Sequence, residues 1–290
     1  MAKSPKIRKP TTESVEYEPC IVAFIDVLGF RDLVNSRSAA DVQDAISALQ
    51  HFTTPDNEEL SKSDRRLFSQ AQARSVSDAV VRIRPYVTEY RDGALIHEIL
   101  DLLKAQIELV KLRVLVRGGL TVGEARVGSS DRDPVFGPAM IRAYDIESKE
   151  ALFPRIVVDD EALFRHRTEP QLRSYDSSSL DDEVKLLSEL LATADDGTRY
   201  IDYLRATGEF ADEPDLYFAF LRSHAELIRS GRSEHTGRRA ILRKYEWLAR
   251  YHNQRINELQ EGECSSKNRI QNFRKKYDIH PGDFFGKLKI

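Results

Sequence analysis

The chain has 290 residues, of which 41% are hydrophobic and 31% charged. That length suits one large domain or a core domain with an appendage, and the balance is that of a soluble globular protein. A net charge of −3 and a pI near 6.2 leave no global field to draw the chain to nucleic acid or to a membrane. No apolar run approaches the ~18 residues that a membrane span requires.

Residues 1–18 are basic, lack an apolar h-region and read as a disordered tail rather than a secretory signal. Cys20 to Ile25 is a continuous apolar run, as expected for a central strand covered on both faces, and it ends at Asp26 with Gly29 close behind. Val42, Ala45, Ile46 and Leu49 recur at helical spacing between Ala39 and Phe52, and a polar loop follows over 53–64. Residues 67–85 read as a hairpin with its turn near Ser77 and Asp78, closed by Pro85. Ile96, Ile99, Leu100, Leu103, Ile107 and Val110 put one apolar face on a helix from Leu95 to Val110. Residues 114–128 read as two strands around the pair Gly118–Gly119, 134–151 as a turn leading into a helix, and 155–160 as a further strand.

After about Arg165 the texture changes. Residues 174–198 are rich in Ser, Asp and Glu, with one apolar helical stretch, VKLLSELLA; a late strand is expected over 200–204. Two helices are expected between Pro214 and Gln260, and the final stretch is basic. The order β-α-β-β-α-β-β-α-β, then helices, predicts an α+β fold with a largely antiparallel sheet covered by helices. The expected domains are a tail over 1–18, a core over 19–165 and a mainly helical C-terminal extension over 166–290. Cys20 and Cys264 lie far apart and no CxxC or His/Cys cluster suggests zinc, so a reduced, cytoplasmic protein is the simplest expectation.

Two acids carry the chemistry. Asp26 ends the central strand and Asp78 stands at the hairpin tip, so pairing of the hairpin beside that strand brings the two carboxylates together at one edge of the sheet. Converging carboxylates are costly unless a cation sits between them. Hard oxygen ligands without His or Cys point to Mg²⁺ or Mn²⁺, completed by substrate phosphates. A pair of such metals can activate an attacking hydroxyl and stabilise a leaving oxygen. Gly29 leads into the next helix, where backbone N–H groups could cradle phosphate. Taken singly, each Asp reads as an ordinary cap or turn residue; the pair in this element order points to metal.

Four blocks carry a resemblance. FIDVLGF (24–30), SVSDAVV (75–81), VRGGLTVGEARVG (116–128) and FGPAMIRAYDIES (136–148) occur in the order of the signature segments of class III nucleotidyl cyclases and resemble them. They span slightly under half the chain. The resemblance implies the ferredoxin-like cyclase core, a lyase reaction on a nucleoside triphosphate and two divalent metals per site, held by Asp26, Asp78 and the backbone carbonyl of Val27. It also implies a homodimer with active sites at the interface. Two positions depart from the family: Ile141 stands where purine cyclases carry an Asn, and Asp145 where they carry an Arg that stabilises the transition state. Arg142, nearby on the same helix, and Arg117, in the RGG stretch, are candidate phosphate contacts, with a structural ion pair an equal alternative for Arg117. Phe24 and Phe30 flank the site, Phe24 as a platform under the nucleotide or as core.

Arg74 lies four residues before Asp78, at the base-reading position of the family. A guanidinium is a pure donor with a planar fork, suited to carbonyl oxygens of a pyrimidine or a guanine rather than to the amino group of adenine. The variant blocks look closest to the pyrimidine cyclases of bacterial Pycsar anti-phage systems. That likeness implies UTP, or less readily CTP, as substrate, a cyclic pyrimidine monophosphate as product and a separate effector that it activates. Two rivals stay open: an inactive, cyclase-like nucleotide-binding module, favoured by Ile141 and Asp145, and a palm-type nucleotidyltransferase, which also uses two Asp on a hairpin and strand. The His residues are scattered without a catalytic pattern, Glu124 and Asp133 read as solvated or capping groups, and Trp247, Tyr245 and Tyr251 are expected to pack against the core.

Overall fold

In the computed structural model the chain is organised around β1 (Glu18–Val27), a ten-residue strand. Its side chains alternate between two cores: Ile21, Ala23, Ile25 and Val27 enter the larger one, and Cys20, Val22 and Phe24 the smaller. Both faces are covered, and that is why the segment is an unbroken apolar run. Described are residues 16–55, 68–128, 134–175, 179–210, 214–261 and 285–290. The expected tail as far as residue 15, most of the polar loop after Thr53, Asp133, Cys264 and the basic stretch up to residue 284 lie outside them.

After β1 come α1 (Phe30–Ser36) and α2 (Ala39–Thr53). α2 starts on a reciprocal cap between Ser38 and Asp41, whose N–H donates to the Ser38 hydroxyl at 3.2 Å. β2 (Gln72–Val76) and β3 (Ala79–Pro85) form the hairpin, followed by α3 (Ala94–Lys111) and β4 (Val116–Ala125). β1 lies between β3 and β4, antiparallel to both, and β2 pairs antiparallel with β3. The order β2-β3-β1-β4, with helices crossing after β1 and after β3, is the split βαβ arrangement of a ferredoxin-like core.

α4 (Pro138–Asp145) continues into a π-helical turn (Ile146–Glu150), and β5 (Ile156–Val158) pairs parallel with β4. Then follow α5 (Asp160–Thr168), α6 (Leu180–Leu190), β6 (Leu191–Thr193) and β7 (Arg199–Ile201). β7 and β6 extend the sheet to seven strands, antiparallel at that edge. α7 (Tyr203–Phe210), α8 (Pro214–Glu234) and α9 (Arg239–Glu261) complete the described helices. The fold is α+β. Its C-terminal part contributes strands to the common sheet and side chains to the larger core as well as helices. Trp247 on α9 stacks on Phe153 (5.6 Å, 8°) and meets Tyr200 edge-on, and Tyr251 is buried beside it, so both pack as expected. Among the described residues no helix is long and apolar enough to cross a membrane.

Three local expectations are corrected. Gly118 and Gly119 lie inside the single strand β4, with no turn between two strands. A Cβ on Gly119 would stand 2.5 Å from the carbonyl oxygen of Ala143 and from Cβ of Ile146. Gly119 therefore lets the α4 segment sit directly on the sheet. The strand expected over 200–204 stops at Ile201, because the Asp202 carboxylate accepts the Arg205 N–H at 3.1 Å and starts α7. The helix read into VKLLSELLA ends at Leu190, and Leu191 to Thr193 pair with β7 instead.

Candidate active site

β1 delivers Asp26 to its own C-terminal end, opposite Ala79 on β3 and Arg117 on β4. Directly opposed residues of a sheet share a face. Asp26 therefore points to the side of α4, as does Phe24 two residues earlier. The β2–β3 connection is the two-residue turn Ser77–Asp78, with Ser77 at φ +58°, an uncommon conformation for a residue with a Cβ. The N–H of Val27 donates to the Asp78 carbonyl at 3.3 Å, which ties the hairpin tip to the end of β1. The two acids named from the sequence are thus neighbours, and their side chains are within hydrogen-bonding reach of each other.

A third acid joins them. Glu147, on the π-helical turn, is buried and interacts with Asp26 and Asp78. Arg117 bridges the group, its Nη2 3.3 Å from Asp26 Oδ2 and its Nε 2.6 Å from Glu147 Oε1, the latter as an ion pair rather than an aligned hydrogen bond. Burial, then the charges of Asp78 and Glu147, push the Asp26 carboxyl up to about 7, against the pull of Arg117. Glu147 is shifted upward too, first by burial and then by Asp78. Three carboxyl groups thus share one guanidinium, and full ionisation leaves two negative charges uncompensated. The sequence reading passed over Glu147, although it lies in the quoted block FGPAMIRAYDIES. Its place at the site depends on the close approach at Gly119, which no local pattern announces.

This arrangement fits a hard divalent cation. The donors available are carboxylate and carbonyl oxygens, and the charge deficit equals that of one such ion. Among the described residues no group of three or more His, Cys, Asp or Glu side chains is placed to hold a metal alone. Asp26, Asp78 and the Val27 carbonyl could therefore supply only part of the coordination sphere of such an ion.

The other expected residues fall into two sets. Phe24 is 8% exposed and meets Tyr144 edge-to-face at 5.3 Å. Phe24 is paired with Val81 and Val81 with Arg74, so Arg74 lies in the same cross-strand row, on the face that carries Asp26. The Arg74 guanidinium donates to Gln72 Oε1 at 2.9 Å and to the Ala73 carbonyl at 3.1 Å. Gly29 sits at φ +82° in the turn into α1, and its carbonyl accepts the N–H groups of Asp32 and Leu33. Phe30 packs on the larger core, on the other side of the sheet from Phe24. Arg142 is held elsewhere: Nε and Nη2 bond the Asp159 carboxylate at 2.9 and 3.0 Å, and Nη1 bonds Glu150 at 2.6 Å. Helical proximity suggested it; competing acids claim it.

No family model matches the chain, and no curated protein matches it either. Solved structures to which it is similar are adenylyl and guanylyl cyclase domains. A bacterial light-regulated adenylyl cyclase shares 16% identity, covering 53% of this chain and 81% of that one, with a TM-score of 0.40. The monomeric guanylyl cyclase domain of the RhoGC fusion protein from the aquatic fungus Blastocladiella emersonii shares 14% identity over 64% of this chain and 95% of that one, at 0.41. The catalytic core of a rhodopsin–guanylyl cyclase with converted specificity, in complex with ATPαS, shares 16% over 51% and 80%, at 0.37. Likeness of this extent leaves the activity to be argued from the site itself.

Proposed function

We propose that this protein is a pyrimidine nucleotide cyclase that converts UTP, and less readily CTP, to the 3′,5′-cyclic monophosphate and pyrophosphate. The observation that carries the reading is the junction of Asp26, Asp78 and Glu147 over a single arginine. In the reaction the ribose 3′-oxygen bonds to the α-phosphorus, the bond from that phosphorus to the β-phosphate oxygen breaks, and the hydroxyl proton leaves to solvent. Asp26, Asp78 and the Val27 carbonyl would hold Mg²⁺ or Mn²⁺, two per site. Those ions supply neutralisation of the triphosphate and a lowered pKa for the 3′-hydroxyl. Arg117 orients Asp26 and Glu147. Positioning does most of the remaining work, as in other phosphoryl transfers.

Base choice is assigned to the row Phe24–Val81–Arg74. Phe24 offers a flat apolar floor, and Arg74 offers donors for the carbonyl oxygens of a pyrimidine. Val76, Ile141 and Tyr144 are 50%, 65% and 50% exposed. Such side chains suit a twofold homodimer that completes the site from the partner subunit. The product would act as a second messenger of anti-phage defence on a separate effector, a reading that rests on the motif resemblance.

One observation favours an inactive, nucleotide-binding module instead: Ile141 and Asp145 replace the Asn and Arg of purine cyclases, and Arg142 is engaged by Asp159 and Glu150. Incubating the purified protein with each ribonucleoside triphosphate and Mn²⁺, and identifying products by mass, separates the two. Cyclic UMP that disappears in Asp78→Ala is expected. A cyclic purine would refute the role given to Arg74, and nucleotide binding without product would favour the inactive module.

A further inference from the structure

Beyond the metal-site acids, the C-terminal helices close over the end of β1. A cavity of about 180 Å³ lies there, between the turn Val27–Gly29 and residues of α8 and α9 that include Glu234 and Lys244. Its charged lining is almost fully paired. Arg37 bonds Glu234 at 2.8 Å, Asp32 bonds Arg238 at 3.2 Å, and Arg113 donates to the Ser230 hydroxyl. Lys244 is the exception among the described residues. It is half-buried, lines the cavity and has neither a hydrogen bond nor an ion pair.

A desolvated ammonium without a partner is unfavourable, and an anion entering the cavity would relieve it. Burial holds the Lys244 pKa down, Arg117 opposes its charge further, and Asp32 and Asp26 pull the other way. Lys244 is therefore within electrostatic reach of Asp26 and Arg117, two members of the charged cluster. The cavity also touches Val27, whose carbonyl is assigned to the metal, and Gly29 next to it. A polyphosphate whose α-phosphate lay at this end of β1 could reach Lys244 with its outer phosphates.

We propose that Lys244 binds the β- and γ-phosphates of the substrate, so that the C-terminal extension supplies the cation that receives the leaving pyrophosphate. This rests on the cyclase reading for the identity of the polyphosphate. It predicts a selective role, because the cyclic product carries only one phosphate and has nothing to place against Lys244.

The test is calorimetric binding of inorganic pyrophosphate and of cyclic UMP to the full chain with Mn²⁺, for wild type, Lys244→Met and Lys244→Arg. A charge-assisted hydrogen bond of ordinary strength corresponds to about 10- to 100-fold in affinity. Lys244→Met should weaken pyrophosphate by that factor, leave cyclic UMP within about twofold and be largely rescued by Lys244→Arg. Unchanged pyrophosphate affinity would overturn the proposal, as would absence of pyrophosphate binding to wild type or equal loss of both ligands. A wild-type protein that cyclises no nucleotide but binds pyrophosphate in a Lys244-dependent way would refute the cyclase reading and leave the phosphate site standing.

Discussion

Two clusters of buried charge flank the same sheet and behave oppositely. On the larger-core face of β3, Arg82 and Arg84 point at α3 and meet Glu98 at 2.7 and 2.8 Å and Asp101 at 2.9 and 2.7 Å. Backbone carbonyls of Thr53 and Ser69 accept from the same guanidiniums. Two acids face two bases, and although burial opposes it, the arginines hold the Glu98 carboxyl down at about 2. On the opposite face, three acids face Arg117, and Asp26 is driven up to about 7. Burial is common to both clusters. What differs is the balance of charge, so the first reads as structure and the second as a place prepared for a cation.

The same chemical change should therefore have opposite consequences in the two places. Asp26→Asn or Asp78→Asn should lower cyclase turnover by at least ~10³-fold, the scale of losing a principal electrostatic contributor, as read by product formation with Mn²⁺. Glu98→Gln should destabilise the fold by about 3–5 kcal/mol, because it removes the fully buried acid that both guanidiniums share and leaves them only the part-exposed Asp101 as counter-charge; chemical denaturation measures this. Asp26→Asn should instead stabilise the metal-free protein at pH 8, by an amount that the elevated pKa bounds at about 4 kcal/mol. A destabilised Asp26→Asn protein would break the comparison.

Acidity sharpens it further. The folded pKa of Asp26 lies above its ordinary value of 3.8, so ionisation penalises the fold fully above about pH 7 and the penalty fades as pH falls toward 4. The stability gap between Asp26→Asn and wild type should hold above about pH 7 and shrink as pH falls from 7 toward 4 in the absence of metal. Added Mn²⁺ should narrow it at pH 8 by stabilising wild type selectively. Glu98 has the other sign: its contribution is complete above its ordinary 4.5 and is lost only as pH falls through about 2. A smaller effect belongs to base choice. Arg74→Glu should shift the ratio of kcat/KM for pyrimidine over purine triphosphates by about 10- to 100-fold, the scale of one polar contact.

The legible part of the site was the part that chain order carries. Asp26 ends an apolar run and Asp78 sits between two strand-like segments, so their meeting requires only that the hairpin pair beside β1. Arg117 was expected from the RGG stretch as a phosphate contact or a structural ion pair, and the structure places it across from Asp26 in β4, ion-paired with Asp26 and Glu147. The Gly118–Gly119 pair signals a turn in sequence, whereas in the strand Gly119 removes a Cβ that would strike Ala143 and Ile146 and Gly118 one that would crowd the Phe24 carbonyl. Glu147 and Lys244 carry no local mark of function. Each becomes significant through a neighbour more than 100 residues away (Glu147 through Asp26, Lys244 through Arg117). Arg142 was suggested by helix position and withdrawn by Asp159, which lies in the loop after β5.

What the sequence by itself determined is the α+β class, the central strand, the hairpin and the paired aspartates, since these follow from periodicity, turn chemistry and residue order along neighbouring segments. Only the tertiary structure decided which charges are balanced. It set the π-helical turn that lowers Glu147 onto Asp26, the pairing that removes Arg142, and the packing of α9 that leaves Lys244 over a cavity at the end of β1. Charge balance is a sum over everything within a few ångströms, and no stretch of sequence contains that sum.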